Sequence, residues 1–300
     1  MSEQVDVGGR TRTFQIVGEE RGRPGRPLVL VFHGSRQNGS SHRRFTGFAL
    51  DGLADRGEAV VAYLDGYRGN WNDARAESRF PARKKDIDDV AFARAVRDRV
   101  MRTHGVDAAK VAGLGYSNGG QMVFRLLHEA PDLLAGAVVV AATMPSRADF
   151  LAGFSPAPTR PVPVAVVAGT ADRIVPFHGG RMRWWARRLF KVGGETLSAE
   201  QTARYFAARN GLPSTPSVVV ASHDARTPVD SVTFRQDGRP SVVLYVVRGG
   251  GHTVPGPTAA PWVVGRTAES PGIDQIVTEV LGEVSRAAAP APPERMPRPR

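Results

Sequence analysis

Ser117 stands in VAGLGYSNGGQMVFRLL, where Gly115-Tyr116-Ser117-Asn118-Gly119 has the spacing that presents a serine hydroxyl for nucleophilic attack. Glycines two residues to either side remove side chains that would clash in a sharp strand-to-helix turn. The N–H groups opening the next helix then point to where negative charge develops. A hydroxyl attacks only when a base takes its proton. Of the seven histidines, His252 in VVRGGGHTVPG is the candidate base, because it follows an apolar run and three glycines let its loop bend sharply back. His33 and His178 also follow apolar runs, whereas His42, His104, His128 and His223 lie in helical or surface-like segments. Asp172, four residues past the apolar run in VAVVAGTADRIVPFHGG, is the acid expected to orient the imidazole; a turn-capping aspartate is the alternative. The oxyanion needs two donors. The N–H of Asn118 is one, and the N–H of Ser35 in LVLVFHGSRQNG is expected as the other, which makes His33 a packing residue and not a second base. Trp71 in GNWND and Tyr116 are the candidate substrate contacts; for Trp71 a packed loop aromatic is the competing reading.

These residues need a scaffold that delivers them to one edge. Leu28–Phe32, Ala59–Tyr63, Val111–Leu114, Ala137–Ala141, Val162–Ala168 and Val242–Val247 read as buried strands. Between them, Asp88–His104 has a helical stripe ended by Gly105. Ser198 and Gln201 have capping-box spacing ahead of a helix ending at Gly211, and Ile273–Val284 is amphipathic. Alternating strands and helices predict an α/β fold with a mostly parallel central sheet and helices on both faces. Ser117, Asp172 and His252 all follow strands, at the end where such sheets place their sites. Their chain order is that of α/β-hydrolases. Residues 5–17 are expected to form an antiparallel edge strand, best over Thr11–Val17. Residues 1–286 are expected to be a single catalytic domain and 287–300, rich in Ala, Pro and Arg, a disordered tail.

The 300 residues are 41% hydrophobic, and no apolar run is long enough to cross a bilayer. There is no cysteine, which excludes disulfides and thiol catalysis; with no secretory signal visible, a cytoplasmic protein is expected, secretion by another route staying open. The net charge of +11 is spread over scattered arginines without a nucleic-acid motif, so no nucleic-acid partner is expected. No H-E-x-x-H, Walker loop or dinucleotide fingerprint occurs, and neither a metal nor an organic cofactor is expected. The segment Arg181–Gly194, RMRWWARRLFKVGG, is basic and aromatic. It reads as a lid over the site, a membrane-surface segment, or a solvated helix with buried tryptophans.

Taken in order, LVFHGSRQNG, YLDGYRGNWND, DIDDVAFARAV, VAGLGYSNGGQMVFRLL, VAGTADRIVPFHGG, LSAEQTARYFAARNG and VVRGGGHTVPG resemble the polyhydroxybutyrate depolymerase and feruloyl-esterase-like family of α/β-hydrolases. The resemblance runs from about residue 5 to about residue 285. It implies hydrolysis of carboxylic esters by a Ser117–His252–Asp172 triad, on polymeric or small esters: hydroxyalkanoate chains, hydroxycinnamoyl esters or acetylated xylan. A peptidase of the same fold and a catalytically silent binding protein are the alternatives.

Overall fold

Valine-rich runs bounded by glycine, proline or aspartate build the sheet, because β-branched side chains pack well on a pleated surface covered on both faces. The computed structural model describes residues 2–20, 22–151, 160–190 and 192–288. The chain opens with β1 (Ser2–Val7) and β2 (Arg10–Val17), followed by β3 (Arg26–Phe32), α1 (Gly39–Phe45), α2 (Asp51–Asp55) and β4 (Val60–Leu64). Next come α3 (Pro81–Lys84), α4 (Asp89–His104), β5 (Val106–Tyr116), α5 (Asn118–Glu129), β6 (Gly136–Val140) and β7 (Val164–Gly169). A short antiparallel pair, β8 (Gly180–Arg181) and β9 (Glu195–Thr196), brackets α6 (Trp184–Phe190). Then follow α7 (Ala199–Arg209), β10 (Ser217–Ser222), β11 (Val229–Phe234), β12 (Val242–Val247), a 3-10 turn at Trp262–Val264 and α8 (Ile273–Ala288).

Ten strands form one sheet in the order β1-β2-β4-β3-β5-β6-β7-β12-β11-β10. The run from β4 to β12 is parallel, and the two outer strands on each side are antiparallel. This is the predicted α/β fold. Along β3, Leu28, Leu30 and Phe32 join the core shared with α4, α5 and α7, while Val29 and Val31 join the one shared with α2 and α8. The central strands are therefore covered on both faces. Helix ends follow local chemistry. Asp88 accepts the Ala91 N–H at 2.8 Å and Gly105 closes α4 at φ 63°, while Ser198 and Gln201 make both bonds of a capping box on α7.

Three boundaries differ from expectation. Residues 5–17 make two strands, because Gly8 and Gly9 at φ 57° and 72° reverse the chain; β1 takes the edge and β2 pairs with β4. The sequence reading placed no strand at β10 or β11; β10 is exposed along nearly its whole length, so its valines carry no inside–outside alternation. Helix α8 continues through Ala288, two residues into the expected tail, and residues 289–300 lie outside the described residues. No helix of the described residues is long and apolar enough to cross a membrane.

Candidate active site

Main-chain contact forces the bend at Ser117. A Cβ at Gly115 would lie 2.3 Å from the Gly119 carbonyl oxygen, and one at Gly119 would lie 1.9 Å from that of Phe32. Only glycine lets the end of β5, the start of α5 and the end of β3 meet this closely. Ser117 takes φ 54° and ψ −114°, a conformation that costs about 1–3 kcal/mol and that the flanking elements hold in place.

The structure brings Ser117, His252 and Asp172 into one hydrogen-bonded chain. Ser117 Oγ–H donates to His252 Nε2 at 2.9 Å, and His252 Nδ1–H donates to Asp172 Oδ2 at 2.7 Å. The side chains of His252 and Asp172 are 5% and 3% exposed, so water hardly competes for these bonds. The other carboxylate oxygen of Asp172 accepts the N–H groups of Ile174 at 2.7 Å and Val175 at 2.9 Å, which fixes its plane. Of the glycines before His252, only Gly249 bends the chain through a positive φ, at 68°. Gly250 and Gly251 serve close packing: a Cβ at Gly251 would sit 2.1 Å from the Val264 oxygen, and one at Gly169 would sit 2.4 Å from the Gly250 oxygen. His252 N–H then donates to Val264 O at 2.7 Å.

Around the serine, Ser35 and Asn118 line a common pocket with it. The Gly34 N–H is tied to Gln37 Oε1 at 3.0 Å, whereas among the described residues the N–H groups of Ser35 and Asn118 have no acceptor. His33 donates from Nδ1 to Gly34 O at 2.8 Å and accepts the Gly66 N–H on Nε2 at 2.8 Å. Burial pushes its pKa down to about 4, so it stays a neutral strut. His178 is exposed and is not brought to Ser117.

Two expected substrate contacts are corrected. Trp71 is fully buried; its indole Nε1–H donates to His33 O at 2.9 Å and its ring meets Phe32 edge-on. Tyr116 is buried among His42, Phe45 and His252, and its hydroxyl donates to the His252 carbonyl at 2.8 Å. Burial, with the Asp172 charge, pushes the phenol pKa upward and keeps it a donor. Both rings brace the loops around the serine and neither lines its pocket.

Sequence reasoning missed Asp73 and Arg75, just beyond Trp71. Asp73 is fully buried and ion-paired with Arg75, whose side chain is 10% exposed and lines the pocket. Asp73 also accepts from Asn118 Nδ2, while Asn118 Oδ1 accepts the Trp71 N–H at 2.9 Å. The signal available was an Asp-x-Arg on the loop leaving β4, at the same sheet edge as the serine. Two residues of the basic aromatic segment, Met182 and Phe190, line the pocket together with Ser117, and the space left is about 20 Å³, room for one water. Trp184 is 76% exposed, against the reading of a helix with buried tryptophans; Lys191 lies outside the described residues.

No protein-family model matches the chain. A protein of Nocardia uniformis subsp. tsuyamanensis named "Putative esterase NocK" is 34% identical over 282 residues, covering 89% of this chain and 78% of that one. Feruloyl esterase B of Piromyces equi is 25% identical over 235 residues, covering 75% of this chain, which spans only 39% of that longer protein. Among solved structures, acetyl xylan esterase from Aspergillus awamori superimposes with a TM-score of 0.60 over 94% of this chain and 99% of that one, at 16% identity, a likeness of fold.

Proposed function

The chain belongs to the α/β-hydrolase esterase family of these relatives, and on that premise we propose that it is a serine esterase whose triad is Ser117, His252 and Asp172. The observation that carries the reading is the unbroken hydrogen-bond chain, 2.9 Å then 2.7 Å, from a strained, pocket-lining hydroxyl through a buried imidazole to a buried carboxylate. With Nδ1–H held by Asp172, the Nε2 lone pair faces Ser117 and accepts its proton as Oγ attacks the ester carbonyl. The amides of Ser35 and Asn118 stabilise the oxyanion; each such donor is typically worth about 10²–10³ in rate. His252 returns the proton to the leaving alcohol, then activates water to hydrolyse the acyl-enzyme. Asp172, fixed by two backbone N–H groups, keeps the imidazole oriented throughout.

The substrate is a carboxylic ester, of the hydroxyalkanoate, feruloyl or acetyl type. The narrow space beside Ser117 favours a small acyl group, with larger ones entering as Met182 and Phe190 withdraw. Turnover of acetyl, 3-hydroxybutyryl and feruloyl esters by the wild-type protein, Ser117→Ala and His252→Ala tests the assignment. Ser117→Ala should abolish turnover and His252→Ala should lower it by at least ~10³. A mild effect at His252 refutes the mechanism. Peptide anilides cleaved faster than esters would make it a peptidase, and a function untouched by Ser117→Ala would make it a binding protein.

A further inference from the structure

A second groove, of about 350 Å³, runs beside the pocket over Ser117, and the side chains of Phe80 and Phe190 wall both. Arg36, Arg68, Arg79, Lys84 and Lys85 line it, and no acidic side chain does. All five are exposed, and among the described residues none forms an ion pair. Abundant arginine alone does not account for this. Elsewhere Arg12, Arg43, Arg94, Arg125 and Arg248 each find a carboxylate. The acid next in sequence, Asp86, accepts instead from Asn72 Nδ2 at 3.3 Å. Two of the guanidinium groups lie over aromatic rings: Arg68 is 5.6 Å from the Tyr67 ring, and Arg36 is 5.9 Å from the Phe190 ring while donating to Leu189 O at 3.1 Å.

Five like charges around one concavity repel each other, and an anion placed among them relieves that repulsion. Arginine also offers forked N–H donors that match a carboxylate or phosphate. Because the groove shares two walls with the catalytic pocket, an anion there lies within reach of the same ester that meets Ser117. We propose that this groove binds an oxyanion, carboxylate or phosphate, carried by the ester that Ser117 attacks, so that the enzyme prefers acidic esters; this rests on the serine-esterase reading above. The walls Phe80 and Phe190 accommodate the carbon chain between the anion and the scissile bond.

Paired substrates test it. para-Nitrophenyl hydrogen glutarate against its neutral methyl ester puts a carboxylate on the acyl side, and butyryl glycerol phosphate against butyryl glycerol puts a phosphate on the alcohol side. We expect a higher kcat/KM for the anionic member of at least one pair, and that pair identifies the carrier. In the variant Arg68→Gln/Arg79→Gln/Lys84→Gln/Lys85→Gln the anionic-to-neutral ratio should fall about tenfold, chiefly through KM. Raising salt from about 50 to about 500 mM should lower the wild-type ratio likewise and the variant's little. A wild-type ratio at or below unity for both pairs, or one that the variant leaves unchanged, overturns the proposal. If neither member of either pair is hydrolysed, the esterase reading fails on its own. Saturation-transfer NMR with glutarate then reads the groove directly: a signal lost in the variant supports the site, and no signal with either protein overturns it.

Discussion

Asp73→Asn separates the stability of the site from its chemistry. In the native protein Asp73 Oδ1 accepts the Arg75 N–H at 3.0 Å and its Nε–H at 3.2 Å, while Oδ2 accepts from Arg75 Nη2 and Asn118 Nδ2. An amide keeps one of these oxygens and sets an NH2 against donors where the other was. Breaking one side of a buried pair costs about 3–5 kcal/mol; Arg75 keeps some access to the pocket, so the loss should lie near the lower end, about 3 kcal/mol. Against a total of about 5–15 kcal/mol the protein still folds. The chemical effect arises because Asp73 also holds the side chain of the residue whose backbone N–H is the proposed oxyanion donor. A donor removed costs about 10²–10³ in rate, so one merely loosened should cost about tenfold in kcat. Asn118→Ala removes the same strut and leaves the Asp73–Arg75 pair intact; it should lose about 1–2 kcal/mol and the same tenfold in kcat. Urea unfolding and ester turnover on both variants provide the comparison. Asn118→Ala with native kcat would show that the strut does not place the donor, and Asp73→Asn with an unchanged unfolding midpoint would refute the buried-charge account.

The other expectations need single measurements. Phe190→Ala enlarges the space of about 20 Å³ beside Ser117 and should raise turnover of cinnamoyl and octanoyl esters relative to acetate; an unchanged chain-length profile would show that Phe190 is not the constraint. Tyr116→Phe leaves the His252 carbonyl without its 2.8 Å donor and should cost about 1–2 kcal/mol and lower kcat with KM unchanged, whereas a rise in KM alone would restore Tyr116 as a substrate contact. His33 and His42 are neutral when folded, burial pushing their pKa values down to about 4 and about 3, against about 6.5 unfolded. The unfolded chain therefore binds more protons below pH ~6.5, and stability should fall by up to about 1.4 kcal/mol per pH unit for each ring until its folded value is reached. Urea midpoints at neutral and mildly acid pH measure this; His42→Leu should shallow the slope by one proton, and a level profile would count against it.

What was legible in the sequence was whatever depends on a few consecutive residues. Gly115 and Gly119 announce the bend at Ser117, Asp172 follows a valine run, and the glycines before His252 announce a tight return. Each signal is local, so each could be read without knowing what packs nearby. Trp71 and Tyr116 were misplaced because an aromatic beside a nucleophile reads the same whether its ring faces the pocket or the core. Only the approach of β3 and α1 decides that, by burying Trp71 on Phe32 and Tyr116 on His42 and Phe45. Asp73 and Arg75 were missed for the opposite reason. Charged residues on a loop are ordinarily solvated, and nothing within GNWNDAR shows that Asn118, 45 residues away, completes their network.

The reactive geometry is set largely by main chain meeting main chain. At the serine, Gly115, Gly119 and the Phe32 carbonyl are in contact; at the histidine, Gly169, Gly250, Gly251 and the Val264 carbonyl are. Such contacts have no rotamers, so the loops they join cannot drift by the ångström that would break a 2.9 Å bond between Ser117 and His252. Side chains then act as braces on positions already determined: Tyr116 on the His252 loop, Trp71 on the His33 carbonyl, Asn118 on the loop after β4. The surfaces proposed to meet the rest of the ester, Met182, Phe190 and the five cations, come from other segments: the stretch between β7 and α7, the end of α3, and surface loops. The hydrogen-bonded chain from Ser117 to Asp172 thus rests on contacts that short stretches of sequence reveal, whereas the lining of the pocket and of the groove depends on how distant segments pack.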